Sequence, residues 1–422
     1  MRTLIRIIFV IFIANGIDCL GGICDNCCDC FKDKDENEKI AISLVNENWC
    51  GDKKNLVLKV FEKNDDIFTS EDKKYKISIE SDGKGNHKIA CKNGPENKLN
   101  LGKKKYAFFE IKTKDENTVY LYCSDVESFE NKNNVYGIFV KKDHKSISVI
   151  ACDTEKVTNM SCMFYICSSL TELKFGKDFN TSNVRDIKGM FCKCSSLTKL
   201  DLKNFNTTSV TDMNGMFDSC KSLTELDLKN FNTENVTDMK DMFRECSKLT
   251  ELKFGKDFNT SKVTYMSSMF SGCSALTELN LTNFNTSNVM SMSGMFCGCS
   301  SLTELNLTNF NTSNVMSMSG MFCGCSSLTE LDLTNFNTSK VMYMNSMFYK
   351  CNKLTDLKFG GNFDTTNVMN MNEMFRNCSS LKKLEFVKKF DITNASTMYM
   401  VDNCSLRYKI QDEILGEMIV EI

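Results

Sequence analysis

Proline, tryptophan and histidine are nearly absent from this chain of 422 residues, which contains one Pro, one Trp and two His. Histidine is the side chain that most often serves as a general base or metal ligand at neutral pH. His87 and His144 lie near turn signals, so we interpret both as solvated turn residues. No nucleophile–base pair and no phosphate-binding loop occurs elsewhere. The sequence therefore predicts no enzyme, no catalytic residue and no cofactor.

An excess of positive charge is also lacking. The chain has 52 Lys and Arg residues against 54 Asp and Glu residues, a formal net charge of −2. Binding to a phosphate backbone requires a clustered basic surface. Nucleic acid is therefore excluded as a predicted partner.

Long apolar runs are missing as well. The N-terminal run, residues 7–14, is shorter than the about 20 residues that a membrane-spanning helix needs. Arg2 and Arg6 precede this run, which ends at Ala14. The small residues Ala14 and Gly16 lie at −3 and −1 of a cut after Gly16, which is typical of a cleaved signal peptide over residues 1–16. We therefore expect a secreted or cell-surface protein, with no transmembrane span unless the N-terminus stays uncleaved as an anchor.

Cysteine, in contrast, is abundant: 23 residues favour an oxidising compartment. Cys24, Cys27, Cys28 and Cys30 lie in a charged segment over residues 17–39. Common zinc sites combine one Cys-x-x-Cys with a second Cys or His pair, and none follows here. We therefore prefer disulfides and predict no metal ligand; a metal site or palmitoylation beside an uncleaved anchor are the alternatives.

Residues 40–152 alternate apolar and polar side chains in short runs separated by turn signals. Examples are residues 41–45, 75–79 and 119–123. Period-two alternation is typical of half-buried strands. This segment is predicted to be an all-β, sandwich-like N-terminal domain of antiparallel strands.

From residue 153 the chain repeats. Residues 276–301 recur without change as residues 302–327, and a Met-Phe-x-x-Cys mark recurs every 26 or 27 residues over 153–405. A fixed period of this length predicts a solenoid of about ten coils. Residues 406–422 read as an amphipathic C-terminal cap.

One coil divides into two parts. Residues 328–333 have the Leu-x-x-Leu-x-Leu spacing of a leucine-rich-repeat strand, with leucines inward and acidic side chains outward. Val341, Met344, Met347 and Phe348 follow at steps of three and four, which favours a helical turn or a short strand leading into one. The expected fold is a leucine-rich-repeat-like solenoid of short parallel strands plus helical turns.

The repeat Cys-Ser-Ser-Leu-Thr-Glu-Leu-Asn-Leu-Thr-Asn-Phe-Asn-Thr-Ser-Asn-Val resembles the BspA-like leucine-rich repeats of bacterial surface proteins. The resemblance covers residues 153–405 and includes the Met-Phe pair and the spacing from Cys to Leu. It implies a secreted or surface-displayed protein that acts in adhesion or protein recognition, and no catalytic residue. Its ligand, a protein on a host or self surface, is not identified by the sequence. The alternative is a structural wall or coat protein cross-linked by disulfides.

Stacking the coils turns each column of the alignment into a ladder. Cys297 and Cys323 occupy adjacent coils and form a candidate disulfide, whereas the Met-Phe-x-x-Cys cysteines are expected to be buried thiols. The outward acidic ladder is either a solvated face or a binding face for basic protein patches or cations. That candidate binding face comprises Glu225, Glu251, Glu278, Glu304, Glu330, Asp332 and Asp356.

Overall fold

The computed structural model describes residues 145–149, 154, 157–175, 179–381, 383–385 and 390–405, and, before residue 145, the backbone of seven short strands. The predicted signal peptide, the segment over residues 17–39 and the cap over residues 406–422 lie outside the described residues. The predicted strands at 55–61 and 136–140 lie outside them as well.

The N-terminal strands form two sheets. They are β1 (Ala41–Ser43), β2 (Ile67–Thr69), β3 (Lys76–Ser81), β4 (Asn86–Lys92), β5 (Asn97–Asn100), β6 (Phe108–Lys112) and β7 (Thr118–Cys123). Strands β2 to β5 pair antiparallel in chain order. His87, predicted in or beside a turn, lies within β4 opposite Leu99. Sandwich-like packing of these sheets stays a prediction.

The second N-terminal sheet continues into the repeats. Strand β7 pairs parallel with β8 (Ser146–Val149), and β8 pairs parallel with β9 (Glu172–Phe175). Strand β1 also pairs parallel with β6. The expectation of a wholly antiparallel arrangement is therefore wrong for these pairs, because β7 and β8 continue the coil-to-coil ladder.

The leucine segments of the coils form short parallel strands, as the spacing predicts. These are β10 (Glu225–Leu228), β11 (Glu251–Phe254), β12 (Glu330–Leu333), β13 (Asp356–Phe359) and β14 (Lys383–Glu385). Pairing is in register, so that Leu226 faces Leu252 and Leu331 faces Leu357. Each column of like residues therefore becomes a ladder across coils.

A second ladder runs through the coils without interruption. Isolated parallel bridges join one residue per coil from Asn159 to Ser396 at steps of 26 or 27 residues. This ladder is therefore continuous through the described repeats, whereas the leucine strands are not.

The Met-Phe-x-x-Cys segment is a series of tight turns, and the prediction of a helical turn is wrong; the part of the chain that the structure describes contains no helix. Cys325 N–H donates to Phe322 O at 3.0 Å within the coil, whereas Phe322 N–H donates to Met347 O at 2.9 Å, one coil on. A helix would direct both N–H groups along its own axis. The turns instead place Gly320 and Gly324 at φ values of 61° and 72°, where glycine is unstrained.

The core contains the apolar columns that the period predicts. Phe310 is 2% exposed and Phe322 fully buried. The Met-Phe phenylalanines stack between coils; the rings of Phe296 and Phe322, for example, lie 5.8 Å apart at 9°. One phenylalanine column contains Phe310 and the other contains Phe322. The predicted burial of both columns is confirmed for the described coils.

Polar residues of the repeat also tie neighbouring coils together, which the sequence reading did not anticipate. Thr312 is 1% exposed; its Oγ1 donates to Asn337 O at 2.9 Å and accepts from Asn337 N–H at 2.8 Å. Asn335 Nδ2 donates back to Phe310 O at 2.7 Å. The Asn-Thr and Asn-Phe pairs therefore satisfy backbone groups that would otherwise be buried without partners.

Candidate functional site

The leucine ladder is interrupted where the two identical repeats lie. Neither 278–281 nor 304–307 forms a strand, although β11 precedes them and β12 follows. Among the described residues, no main-chain hydrogen bond joins 278–281 to β11 or to 304–307, and none joins 304–307 to β12. One cross-coil bond precedes these segments, from Thr303 N–H to Thr277 O at 3.4 Å. Over 278–281 and 304–307 themselves, the coils lie side by side without ladder bonds.

The inward leucines reflect this interruption. Where the ladder is formed, Leu226, Leu331 and Leu357 are at most 3% exposed. Leu252, on the strand β11 that borders the interruption, and Leu279, within it, are only partly buried, whereas Leu305 is 9% exposed. Apolar side chains are therefore accessible there.

A cavity of about 790 Å³ occupies the interruption. We call it the repeat groove. Its charged lining consists of Glu251, Glu278, Glu304, Glu330, Asp332, Asp356, Lys253 and Lys358. Six carboxylates and two ammonium groups leave a formal charge of −4 on the lining.

Six of the seven predicted face residues therefore line one groove. Glu225 does not: it lies on β10, and its Oε1 accepts from Lys199 Nζ at 3.0 Å. At the edge of the groove, Lys253 Nζ lies 2.6 Å from Glu251 Oε1. No lysine occupies the two outward columns between Glu278 and Glu330. The negative charge is therefore least compensated in the identical repeats.

The facing charge pairs differ at this interruption. Where strands pair, Asp227 faces Lys253 and Asp332 faces Lys358. In the identical repeats the corresponding residues are Asn280 and Asn306, so no opposite-charge pair accompanies the facing glutamates there. Like carboxylates also face each other where strands form, as Glu225 faces Glu251. Residues 199–202 also lack a strand, although Lys199 contacts Glu225, and charge does not explain that gap.

The cysteine column is buried, as predicted, and each thiol has a specific role. Cys325 Sγ donates to Phe296 O, one coil back, at 3.1 Å. Burial raises the pKa of the Cys325 thiol, and neighbouring cysteines add to the shift. Cys297 and Cys323 are thiols in this structure; Cys323 is buried and Cys297 is half-buried. Their pairing as a disulfide stays a proposal.

An aspartate ladder lies on the bridge column. Asp186, Asp212 and Asp238 bridge in sequence across three coils. The pKa of Asp212 is raised to about 6, chiefly by burial. The carboxylates of Asp238 and Asp186 contribute to the rise, whereas the Asn214 N–H and Lys188 oppose it. This ladder is separate from the repeat groove.

Two kinds of site are not found in the described part of the chain. No group of three or more His, Cys, Asp or Glu side chains there is arranged to hold a metal ion. No helix there has the length and hydropathy to cross a bilayer.

Solved structures similar to this chain are bacterial repeat proteins. A leucine rich cell surface protein from Faecalibacterium prausnitzii A2-165 is 18% identical, covering 68% of this chain and 94% of that chain, with a TM-score of 0.29. A leucine-rich repeat protein from Eubacterium ventriosum is 14% identical, covering 70% and 92%, with a TM-score of 0.32. One from Bacteroides ovatus is 17% identical, covering 71% and 91%, with a TM-score of 0.26.

These TM-scores are low. The coil architecture described above therefore rests on the hydrogen bonds of this chain and not on its similarity to these structures. No curated protein matches the chain. A family model described as "Mycoplasma protein of unknown function, DUF285" matches residues 133–254, 224–305, 252–359 and 298–410. The chain therefore belongs to the DUF285 family.

Proposed function

We propose that this chain is a secreted or cell-surface repeat protein that binds other proteins, in recognition or adhesion, through the repeat groove. The observation that carries the proposal is the charge of the groove lining, where six carboxylates face two lysines in one concavity. A chain stabilised only by its core gains nothing from stacking Glu278, Glu304 and Glu330. A cationic partner would relieve their repulsion and would be steered to the groove by it.

The alternative, a coat protein cross-linked by disulfides, is less well supported. Of the Met-Phe-x-x-Cys cysteines, the described ones are at most 7% exposed, so they are out of reach of a second chain. Non-reducing against reducing electrophoresis of native material separates the two ideas. Disulfide-linked multimers would favour the coat, and a monomer band favours the binding protein.

The proposal is tested by attachment of beads coated with the full-length protein to a cell layer, at low and at high salt. The triple variant Glu278→Gln, Glu304→Gln, Glu330→Gln should attach more slowly at low salt, because rim charges act mainly on the association rate. The control is Glu172→Gln with Glu225→Gln, since each of these carboxylates has a lysine within 3.0 Å. Equal attachment rates for the triple variant and wild type would overturn the proposal.

Location is tested separately. Protease added to intact source cells should cleave the protein while a cytoplasmic marker stays whole. Protection of the protein until the cells are lysed would contradict a surface location.

A further inference from the structure

One column of side chains brings residues of neighbouring coils into contact with each other. It consists of the residue that follows each Met-Phe pair, and its members recur every 26 or 27 residues. Cys192 Sγ donates to Asp218 Oδ2, one coil on, at 3.6 Å. Arg376 Nε donates to Asp402 Oδ2, also one coil on, at 3.1 Å. We call this column the pair column, because its side chains reach one another across coils.

In the two identical repeats the pair column contains Cys297 and Cys323 at consecutive positions. The main chain joins their coils on both sides of Cys297. Phe296 N–H donates to Met321 O at 2.9 Å, and Gly298 N–H donates to Cys323 O at 2.7 Å. Hydrogen-bonded neighbouring strands lie about 4.8 Å apart, and a disulfide spans Cα separations of about 4.4–6.8 Å. The stacking of these coils therefore suits a disulfide.

We propose that Cys297 and Cys323 form a disulfide in the oxidised protein and thereby join the two identical coils. These are the coils whose leucine segments, residues 278–281 and 304–307, share no ladder bond. The disulfide ties them together at another point of the repeat. It goes beyond the proposed function, since it requires no ligand in the repeat groove.

Closing the bond requires only a small movement. Side chains that leave stacked coils in the same direction begin with their Cβ atoms about 4.8 Å apart, whereas a disulfide needs about 3.5–4.5 Å. Gly298 and Gly324 directly follow the two cysteines, at φ values of 75° and 72°. Because glycine restricts backbone rotation least, these neighbours allow the Cβ atoms to approach by the roughly 0.5 Å that is needed.

Exposure favours this pair over the other cysteines of the same coils. Among the cysteines whose side chains the structure describes, Cys297 is half-buried and all the others are buried. Cys299 and Cys325 are at most 1% exposed and donate to carbonyls of the preceding coils at 3.2 and 3.1 Å. Burial raises the pKa of both thiols, which lowers the fraction of reactive thiolate. Cys299 and Cys325 should therefore stay reduced while Cys297 reacts.

The oxidant is a small-molecule disulfide such as oxidised glutathione. The Cys297 thiolate attacks one of its sulfur atoms, the S–S bond of the oxidant breaks, and one glutathione thiolate leaves. The Cys323 thiolate then attacks the Cys297 sulfur and displaces the second glutathione thiolate. The two protein thiols lose two protons and two electrons in all, and the oxidant becomes two thiols. Stability measurements on the thiol form, including those that replace Cys297, therefore require a reductant.

The first experiment locates the bond in the full-length protein by mass spectrometry. Protein equilibrated with oxidised glutathione, or with a reductant that is then removed, is unfolded in an alkylating agent. Cleavage after phenylalanine yields peptides 297–310 and 323–336. Oxidised protein should give these peptides joined, with the alkyl label on Cys299 and Cys325, and reduced protein should give them separate. Fragmentation between Cys297 and Cys299 assigns the label.

Three results of this experiment would overturn the proposal. They are separate peptides in both samples, a glutathione adduct on Cys297 beside an alkylated Cys323, and a link through Cys299 or Cys325.

The second experiment tests by thermal unfolding whether the bond stabilises the coils. Oxidation should raise the Tm of the wild type by about 5 °C, because a cross-link restricts the unfolded chain. Cys297→Ser should lose this rise. The matched control is Cys192→Ser, which changes the pair column where the facing residue is Asp218, and it should keep the rise. An equal rise in all three proteins, or no rise in the wild type, would contradict a disulfide that ties the identical coils.

Discussion

Cys299 donates its thiol hydrogen to Phe270 O, one coil back, at 3.2 Å. That carbonyl also accepts from Cys273 N–H in its own coil at 3.1 Å, so the thiol occupies its second lone pair. The same bond recurs at Cys194, Cys220, Cys246, Cys273, Cys325, Cys351 and Cys378. Cysteine is therefore suited to this column because it is small and apolar and still donates a hydrogen bond.

Cys299→Ala should lower the free energy of unfolding by about 1–2 kcal/mol, through the lost hydrogen bond and the small cavity left. The matched control is Cys297→Ala in the same coil, because Cys297 is only half-buried. Denaturant titration measures both. A cost for Cys299→Ala no larger than for Cys297→Ala would mean that the column only fills space.

Phe310→Ala should cost about 3–5 kcal/mol, since it removes a large buried side chain. Phe310 is 2% exposed, whereas Met369 is 38% exposed, so Met369→Ala is the control and should cost under about 0.5 kcal/mol. Hydrogen exchange should show the loosening in both adjacent coils. A loss below about 1 kcal/mol for Phe310→Ala would contradict the assigned packing.

Thr312→Val keeps the shape of the side chain and removes the hydroxyl that both donates to and accepts from Asn337. The main-chain N–H of Asn337 then lacks its partner in a buried setting, at a cost of about 1–3 kcal/mol. Thr303→Val at an exposed position of the same coil is the control. Thermal unfolding of both variants measures this cost. Equal melting temperatures would show that the Thr312 hydroxyl does not stabilise the stacked coils.

The Asp212 ladder makes stability depend on pH. The folded pKa of Asp212, about 6, lies above its ordinary value of 3.8, so the folded state favours the protonated form. Ionisation therefore removes stability as pH rises through about 6, and the cost is relieved towards pH 4. Asp212→Asn should stabilise the protein at neutral pH by about 1–2 kcal/mol, allowing for partial exposure, and should be neutral below pH 4. Asn370 in the same column already accepts the equivalent N–H, from Asn372, at 3.0 Å.

Asp332→Asn is the control, because its effect on stability should change with pH in the opposite direction. The Thr334 hydroxyl, followed by its N–H, holds the pKa of Asp332 below its ordinary value. Its charged form therefore stabilises the fold above that value, and this contribution is lost as pH falls. Unfolding of both variants is followed from about pH 2.5 to pH 8. The gain from Asp212→Asn should grow as pH rises from about 4 through 6, whereas the loss from Asp332→Asn should stay constant above pH 4 and shrink below it. Parallel slopes would refute the assigned environments.

The sequence predicted the features that depend only on the residues of a single coil. The inward leucines, the buried Phe310 column, the buried cysteines and the outward glutamates all follow from period and side-chain type. The turn geometry did not follow, because steps of three and four also suit a helix. Only contact with a neighbouring coil diverts the Phe322 N–H to Met347.

The interruption of the ladder was likewise hidden from a reading of single coils. A single coil does not show that Asn280 stands where Asp227 and Lys253 form a facing pair. Nor does it show the burial of Thr312, which arises only from stacking. Comparing the columns for opposite charge marks the identical repeats but does not predict the gap at residues 199–202.

The two identical repeats leave residues 278–281 and 304–307 without ladder bonds to the neighbouring coils. Hydrogen exchange of the full-length protein tests it directly, because residues 276–281 and 302–307 share the sequence Leu-Thr-Glu-Leu-Asn-Leu and give one peptide that reports on both. The comparison peptide is 354–359, whose strand β13 pairs on both sides. We predict fast exchange in the shared peptide and slow exchange in 354–359, with the Phe296 and Phe322 amides of the same coils protected by their cross-coil bonds. Equal protection of the shared peptide and 354–359 would contradict the account.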